Sequence, residues 1–522
     1  MKQFKYIAAA LLLMGATTGC EDFLSVQSPD ELTSDSFWRD KSDAEAGLAS
    51  AYSKLESSTD TWGFAEIKWP VEAYREDIVD LGADALNYPN WVELSNFSYT
   101  NGNSQFTSYW MDNYRGINYC NQLLEKVPSI PAEKITDEDR AMIINEAHFL
   151  RAYYHMKLLL NWEQIVVRDV YITSIDQLDK ALSTRPEAWD CIIADLEKGT
   201  ALPAVRSSEA TGRATRGAAY AFLGWAHLTR AYEETNNKDA ELKAAVAALD
   251  KVQGYELIKD FGSMFNSSNK NSKEAVFELQ MSMSDANGAW YKTQLHRWIG
   301  TAELWGWDEI LPSSMLMNEF MKEGQIATTG RYDSRLYASI FFQCDYFNDP
   351  EAGRVYGSTY DYWFNTEYDD EGNAVGKSYN KPSFRKYMPA DMEGMNNNYF
   401  APNIPLMRYS NVLLMKAEAL NEQGRTAEAI PLINDVRARA DMPAMKGVTK
   451  EQVAAQIEHE RILEFPLENF RFYDLRRWGK TQAALKAVGR EFNPSKNNFY
   501  PIPIQELNSN NALRLNNNET IL

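Results

Sequence analysis

Five histidines and four cysteines are all the imidazole and thiol this 522-residue chain offers to catalysis or metal binding. His148, His155, His227 and His459 stand inside stretches of helical spacing, where a packed or surface histidine is the ordinary outcome; His296 stands alone. Cys20, Cys120, Cys191 and Cys344 form no CxxC pair, so neither a disulfide framework nor a zinc site is implied, and free buried thiols are the expectation for the last three. Acids are plentiful, 73 in all, yet no pair is singled out as the two carboxylates of a glycosidase. The chain contains no HExxH, GxSxG, Walker loop or GxGxxG strand–helix unit. "EYDDEGN" (367–373) has the residue types of a calcium loop without the spacing of an EF-hand, and reads better as a hairpin turn. No catalytic residue, metal or cofactor is assigned, and the expectation is a protein that is not an enzyme.

One cysteine is placed for a covalent event. Lys2 and Lys5 precede an apolar block, Tyr6 to Met14, and small residues follow from Gly15 to Gly19. That order is the anatomy of a secretory signal peptide, here residues 1–19. The block is about half of the roughly 20 residues a membrane-spanning helix needs. Cys20 then stands where a bacterial lipoprotein carries its acylated cysteine, with Thr17 where that motif usually has Leu. Acylation would tether the chain to lipid at about 0.8 kcal/mol per buried CH₂. Glu21 and Asp22 follow at once and resemble an acidic export tag of surface lipoproteins.

Composition narrows the partners. The full chain carries a formal charge of −20, and removal of residues 1–19 takes away two lysines and no acid. Such a surface repels phosphate backbones, and no basic block interrupts it, so nucleic-acid binding is excluded as an expectation. The 44% hydrophobic content supplies a large core. Trp, Tyr and Phe make up 12% of the chain, a surplus that suits interfaces and ligand platforms as well as packing.

The elements that would position any site are mostly helices. Helical spacing reads at 43–58, 107–127, 137–161, 185–199, 213–235 and 239–253, then again at 409–424, 426–440 and 450–465. Ala218, Ala219, Ala221 and Gly224 lie among large apolar residues, which lets antiparallel helices approach closely. Helix, glycine turn at Gly424 and helix make a hairpin of the tetratricopeptide type. Residues 255–405 break the pattern: they are rich in Gly, Asn, Asp, Tyr and Trp, with strand-like runs at "EAVFELQMSM" and "ASIFFQC". A shorter irregular stretch spans 60–105. The expected fold is mostly α, a tetratricopeptide-like helix-hairpin scaffold with a long loop-rich, partly β insertion. Its divisions are the signal peptide 1–19, a lipidated tether 20–35, an N-terminal helical scaffold 36–254 with a loop at 60–105, the insertion 255–405, and a C-terminal helical scaffold 406–522.

"LMRYSNVLLMKAEALNEQG" (406–424), "LINDVRARA" (432–440), "ERILEFPLENFRFYDLRRWGK" (460–480) and "FYPIPIQEL" (499–507) together resemble the SusD/RagB family of Bacteroidetes surface lipoproteins. "FWRDKSDAEAGLASAYSKL" and "YWMDNYRGINYCNQLLEKV" fit the opening pattern of the same family. Two departures are visible: Asn469 follows Glu468 where the family commonly has Gly, and "RLNNNETIL" replaces a Gln-Asn-Pro ending. "RFYDLRRWG" reads as structural, with Arg471, Asp474, Arg476 and Arg477 expected to pair with helix acids such as Glu460 and Glu464 while Phe472, Leu475 and Trp478 pack.

The resemblance implies a nutrient-binding lipoprotein, lipid-anchored and surface-exposed on the outer membrane, that passes ligand to a SusC-like TonB-dependent transporter. It also implies that ligand meets loops from the early irregular stretch and from the insertion. The first loop offers Arg75, Asp77, Asn87, Tyr88 and Trp91; the second offers Trp290, Tyr291, Trp298, Trp305 and Trp307. Trp and Tyr rings cover the apolar C–H face of a sugar, while Asn, Asp and Arg hydrogen-bond its hydroxyls, so an oligosaccharide is the expected ligand. A peptide-binding lid of such a transporter and a helix-hairpin protein-interaction scaffold are the alternatives.

Overall fold

A computed structural model describes residues 37–56, 68–283, 292–368, 374–376 and 381–515. The signal peptide, Cys20, Glu21, Asp22, Trp290 and Tyr291 lie outside the described residues. Among the described residues eight helices precede the insertion: α1 (Lys41–Ser53), α2 (Lys68–Ala73), α3 (Pro89–Asn96), α4 (Ser104–Lys126), α5 (Asp137–Asn161), α6 (Arg185–Gly199), α7 (Arg216–Glu233) and α8 (Lys238–Leu249). Within the insertion lie α9 (Leu295–Ile299) and α10 (Ser314–Met321); after it come α11 (Tyr409–Glu422), α12 (Thr426–Arg439), α13 (Lys450–Glu464) and α14 (Arg471–Arg477).

The long helices begin where side chains satisfy the free backbone N–H groups of a first turn. Thr136 caps α5 ahead of three consecutive acids, and the pairs Thr184/Glu187 and Thr449/Gln452 make capping boxes on α6 and α13. Each helix then lies against the next: α4 on α5, α5 on α6, α6 on α7, α7 on α8, α8 on α11, and α11 on both α12 and α13. The close contact of α7 with α8 depends on Gly224, where a Cβ would come within 2.4 Å of the Leu249 side chain. The frame is mostly helical and of the expected hairpin type, with the turn at Gly424 (φ +77°).

The 60–105 stretch is less irregular than its spacing implies, since α2 and α3 both fall in it. Six and eight residues complete too few turns to leave a periodic signal. Pro89 opens α3, and Phe97 closes it in the left-handed region.

Short ladders fasten the insertion to the frame. β1 (Val79–Leu81) pairs antiparallel with β3 (Ile310–Pro312), in register Val79↔Pro312. β2 (Ala275–Leu279) pairs with β4 (Ile404–Arg408), so the insertion leaves and re-enters the scaffold at one ladder that runs directly into α11. Thr366–Tyr368 pairs antiparallel with Ala374–Gly376, and the expected turn between them, 369–373, lies outside the described residues.

Behind the β2·β4 ladder is a buried ionic cluster. Glu464 accepts from Arg408 (2.8 Å), Arg335 (3.0 Å) and Arg439, while Glu460 accepts from Arg335 and Arg437, both at 2.6 Å. Arg408 also reaches Glu274 and Glu468, and Lys386 donates to Glu468 at 2.6 Å. Burial alone would raise the Glu464 pKa; Arg439, Arg408 and Arg335 override it and hold the carboxyl well below its ordinary range. The cluster corrects one expectation. Glu460 and Glu464 are taken by Arg335, Arg408, Arg437 and Arg439, so α14 finds other partners. Arg471 pairs with Asp77 and Glu458, Arg477 with Glu418 and Asp474, and Arg476 donates to the carbonyls of Leu160 and Asn498. Phe472 and Leu475 pack in the interior as expected. Asn469, the departure from Gly, sits at φ +63°, a conformation that Asn tolerates better than most residues.

Two outcomes follow. Glu464→Gln removes the charge shared by three buried guanidinium groups, and urea unfolding should register a loss of about 3–5 kcal/mol. His459 lies between Glu319 (Nδ1–O 2.6 Å) and Glu323 (Nε2–O 3.1 Å). Burial lowers its pKa, but the two carboxylates more than compensate and raise it from 6.5 to about 9. A raised folded-state pKa means the stabilisation is complete below pH 6.5 and disappears as pH rises through 9. Thermal melting across that window should fall in the native chain and flatten in His459→Gln.

Candidate functional site

The β1·β3 ladder brings together the two loops that the sequence analysis singled out. Beyond the ladder the chains stay paired, with Gly82 N–H donating to Glu309 O (3.0 Å) and Asp84 N–H to Asp308 O (3.3 Å). At Gly82 a Cβ would lie 1.9 Å from the Asp308 carbonyl oxygen, so no other residue allows this approach. The 297–309 loop folds back on itself through Gly306 N–H to Thr301 O (2.7 Å), Trp307 N–H to Arg297 O (2.6 Å) and Asp308 N–H to Gly300 O (2.9 Å). Arg297, itself buried, donates to Trp305 O (2.7 Å) and Asn397 O (3.1 Å).

This bracing displays two aromatic rings. Trp305 is 47% exposed and holds φ +55°, a strained position for a non-glycine residue. Its ring meets Trp363 edge to face at 5.3 Å, and the Trp363 indole N–H is fixed on Val355 O. Tyr88, also 47% exposed, lies over Trp91 with centroids 4.2 Å apart. Trp91 rests against Tyr74 and Trp298, and Trp298 against Trp69, so Tyr88 is the outermost ring of a packed aromatic stack. Asn87 beside it is exposed. Asp308 belongs to the same turn; burial first and Glu303 in addition raise its pKa, against the Ala83 N–H, which lowers it.

The remaining candidates fall elsewhere. Arg75 and Asp77 are interior residues, which corrects their assignment as ligand contacts. The Arg75 guanidinium is clamped between the rings of Phe472 (4.1 Å) and Tyr500 (4.2 Å) and donates to Asn161, and Asp77 receives both arms of Arg471 at 2.8 Å. Trp91 and Trp298 are buried and act as backing, and Trp307 is partly buried against the core. Tyr362 (44% exposed) and Trp363 extend the aromatic face but were not picked out from the sequence, although the run "YDYWF" (360–364) carried the signal.

Groups that could hold a metal are engaged otherwise. Among the described residues one set, Glu323, His459 and Glu460, gathers its ligand atoms within 4.8 Å. Arg437 donates to both of those carboxylates, at 2.7 and 2.6 Å, so the set reads as an ion-pair network around a protonated imidazole. Cys120, Cys191 and Cys344 are free; burial pushes the Cys191 thiol up to about 11, far from a reactive thiolate.

A helical frame that displays braced, exposed aromatic rings beside amide and carboxyl groups is built for binding. The comparisons agree on the class. The SusD family matches residues 273–519, and a second family, described as starch-binding associating with outer membrane, matches residues 22–228. SusD-like protein P2 of Formosa agariphila is 27% identical over 544 residues, covering 99% of each chain. A SusD superfamily protein from Bacteroides vulgatus superposes with a TM-score of 0.75 at 26% identity, over 91% of this chain and 98% of that one. A laminarin-binding SusD-like protein superposes with a TM-score of 0.71 at 23% identity, over 90% and 98%. The chain belongs to the SusD family.

Asp77→Asn separates the structural role from the binding one. It removes the charge facing the buried Arg471 and should lower stability by about 3–5 kcal/mol in urea unfolding. The ligand affinity of the folded fraction should be unchanged, because Asp77 has no path to solvent.

Proposed function

We propose that this chain captures oligosaccharides at the Tyr88–Trp305 face and passes them to a SusC-like TonB-dependent transporter in the outer membrane. Cys20, once acylated, anchors it to the outer leaflet, with residues 21 to about 35 as a tether. It performs no covalent chemistry; binding and release are its whole activity. The observation that carries this reading is the pair of half-exposed rings, each held from behind, on loops that the β1·β3 ladder joins. A sugar ring presents a C–H face to such rings and its hydroxyls to Asn87 and the neighbouring carboxyls. Because the rings are fixed before ligand arrives, little side-chain entropy is lost on binding. The family description that associates starch binding with the outer membrane, and the laminarin-binding structural neighbour, support a glycan over a peptide. Among the described residues no helix is long and apolar enough to cross a membrane, which is compatible with lipid anchoring.

Isothermal titration of the chain lacking residues 1–20, against plant glycans, host glycans and mixed peptides, tests the reading. Heat from one glycan class is expected, reduced about tenfold or more in Tyr88→Ala and in Trp305→Gly, where glycine keeps the positive φ while removing the ring. Heat from peptides alone would replace the glycan reading with a peptide-binding lid, and release of reducing ends from a bound glycan would sink the non-enzymatic part.

A further inference from the structure

A groove of about 600 Å³ lies on the frame away from the Tyr88–Trp305 face, between the exposed side of α4 and the segments 166–178 and 503–509. Its size is that of a ligand site rather than a packing defect. Three segments distant in sequence build it, and hydrogen bonds fix each of them. The Tyr114 hydroxyl donates to Val166 O (2.9 Å) and accepts from Val166 N–H (2.8 Å). Asn121 donates to the carbonyls of Arg168 and Val170, both at 3.0 Å. Arg168 turns back onto the carbonyls of Gln177 and Leu178, closing that segment into a wall. The Trp110 indole N–H donates to Glu506 (3.2 Å) and so pins the third wall to α4.

What faces the groove is mixed in a particular way. Apolar surface comes from the exposed Met111 and the half-buried Tyr114 and Ile172, with the half-buried ring of Tyr119 beside them, while Trp110 is buried beneath as the floor. Interleaved on the same helix are Arg115 and Asn118, and across the groove stands the exposed amide of Gln505. Arg115 uses one N–H on Asp112 (2.9 Å), which leaves the rest of its guanidinium for a ligand. Aromatic rings alternating with planar groups that hydrogen-bond in pairs match a neutral polyhydroxyl ligand, whose every unit offers an apolar face and a rim of hydroxyls. A neutral ligand is also indifferent to the net charge of −20, which would oppose a polyanion.

We propose that this groove is a second oligosaccharide-binding site, resting on the reading that the chain's ligand is a glycan. It joins the first site through α3 and α4: Tyr88 precedes α3, and Asn103, which caps α4, donates to Asn90 O (3.0 Å) and Glu93 (2.8 Å) of α3. A polymer engaging both sites gains affinity by effective concentration, without any new contact.

The test is titration of the chain lacking residues 1–20 with laminari- and malto-oligosaccharides of increasing length. The proteins compared are the native chain, Trp305→Gly, the double variant Asn118→Ala/Tyr119→Ala, and Ser509→Trp, which fills the groove from an exposed position. Circular dichroism melts establish that each variant is folded. The expected result is that Trp305→Gly leaves a weaker residual affinity, which the groove variants abolish when combined with it. The groove variants alone should lose at least fivefold on long oligosaccharides and little on short ones. If Trp305→Gly abolishes binding at every length and the groove variants match the native chain, this inference is overturned while the glycan reading stands. If the native chain binds no glycan, both fall. If peptides rather than sugars lose affinity in Ser509→Trp, the exposed aliphatic rim of Val170, Ile175 and Leu178 marks a protein-docking groove, and the proposal is likewise overturned.

Discussion

Glu464 is the point on which the architecture turns. A carboxylate with no exposed surface survives as an anion only because three guanidinium groups surround it, and they come from three different parts of the chain. Arg335 belongs to the insertion, Arg408 ends β4, and Arg439 ends α12. Removing any of these elements would leave an uncompensated charge in the core, which couples the folding of the insertion to that of the helical frame. The same cluster holds Glu274, the residue just ahead of β2, so the ladder through which the insertion enters and leaves is tied to the interior by charge as well as by backbone hydrogen bonds. With that ladder fixed, the loops carried by the insertion have defined positions, and β3 can meet β1 in one register.

What the sequence made legible follows the range of each physical signal. Helix α5 was readable to its ends, because 25 residues of apolar periodicity and a run of acids behind Thr136 are all local. The hairpin α11–α12 was readable from Gly424 for the same reason. The short helices α2 and α3 left no such trace. Charge pairing was legible in kind but not in address: α14 pairs its arginines inside the protein, yet the acid that meets Arg471 is Asp77, 394 positions away. That same pair explains why Asp77 was misread. An acid in an irregular stretch resembles a hydrogen-bonding group awaiting a ligand until its distant partner is known, and Arg75, held between Phe472 and Tyr500, was misread for the equivalent reason.

The aromatic residues divide by the same logic. Composition announced a surplus of rings without saying which would be covered. The structure packs Trp69, Trp91 and Trp298 edge to face as a buried foundation and leaves Tyr88 on top of it. It also places Trp305 at a positive φ, a conformation with a steric penalty of about 1–3 kcal/mol that persists only when surrounding contacts enforce it. Those contacts are present: Arg297 on the Trp305 carbonyl, the Gly300–Gly306 crossing, and Trp363 against the ring. Other residues, Phe97 and Asn469 among them, also hold a positive φ, but of the aromatic ones among the described residues Trp305 is the exposed one, the pattern of a side chain whose position matters more than its own stability.

Charge and aromatic surface therefore do separate work in this chain. The charged groups that fix its geometry are largely internal and paired, so they specify which parts of the chain meet and contribute little to recognition. The exposed rings are neutral and stand beside amides and acids, in a protein whose net charge is strongly negative. Such a surface favours ligands by shape and hydrogen-bonding pattern, and it discriminates against anions at longer range than any contact. The two kinds of group also sit apart: the exposed positions of the two loops, such as Asn87, Tyr88 and Trp305, lie outside the buried ion pairs. One frame can on these terms carry differently shaped binding faces, provided that Gly82, Gly306 and the β1·β3 register are kept.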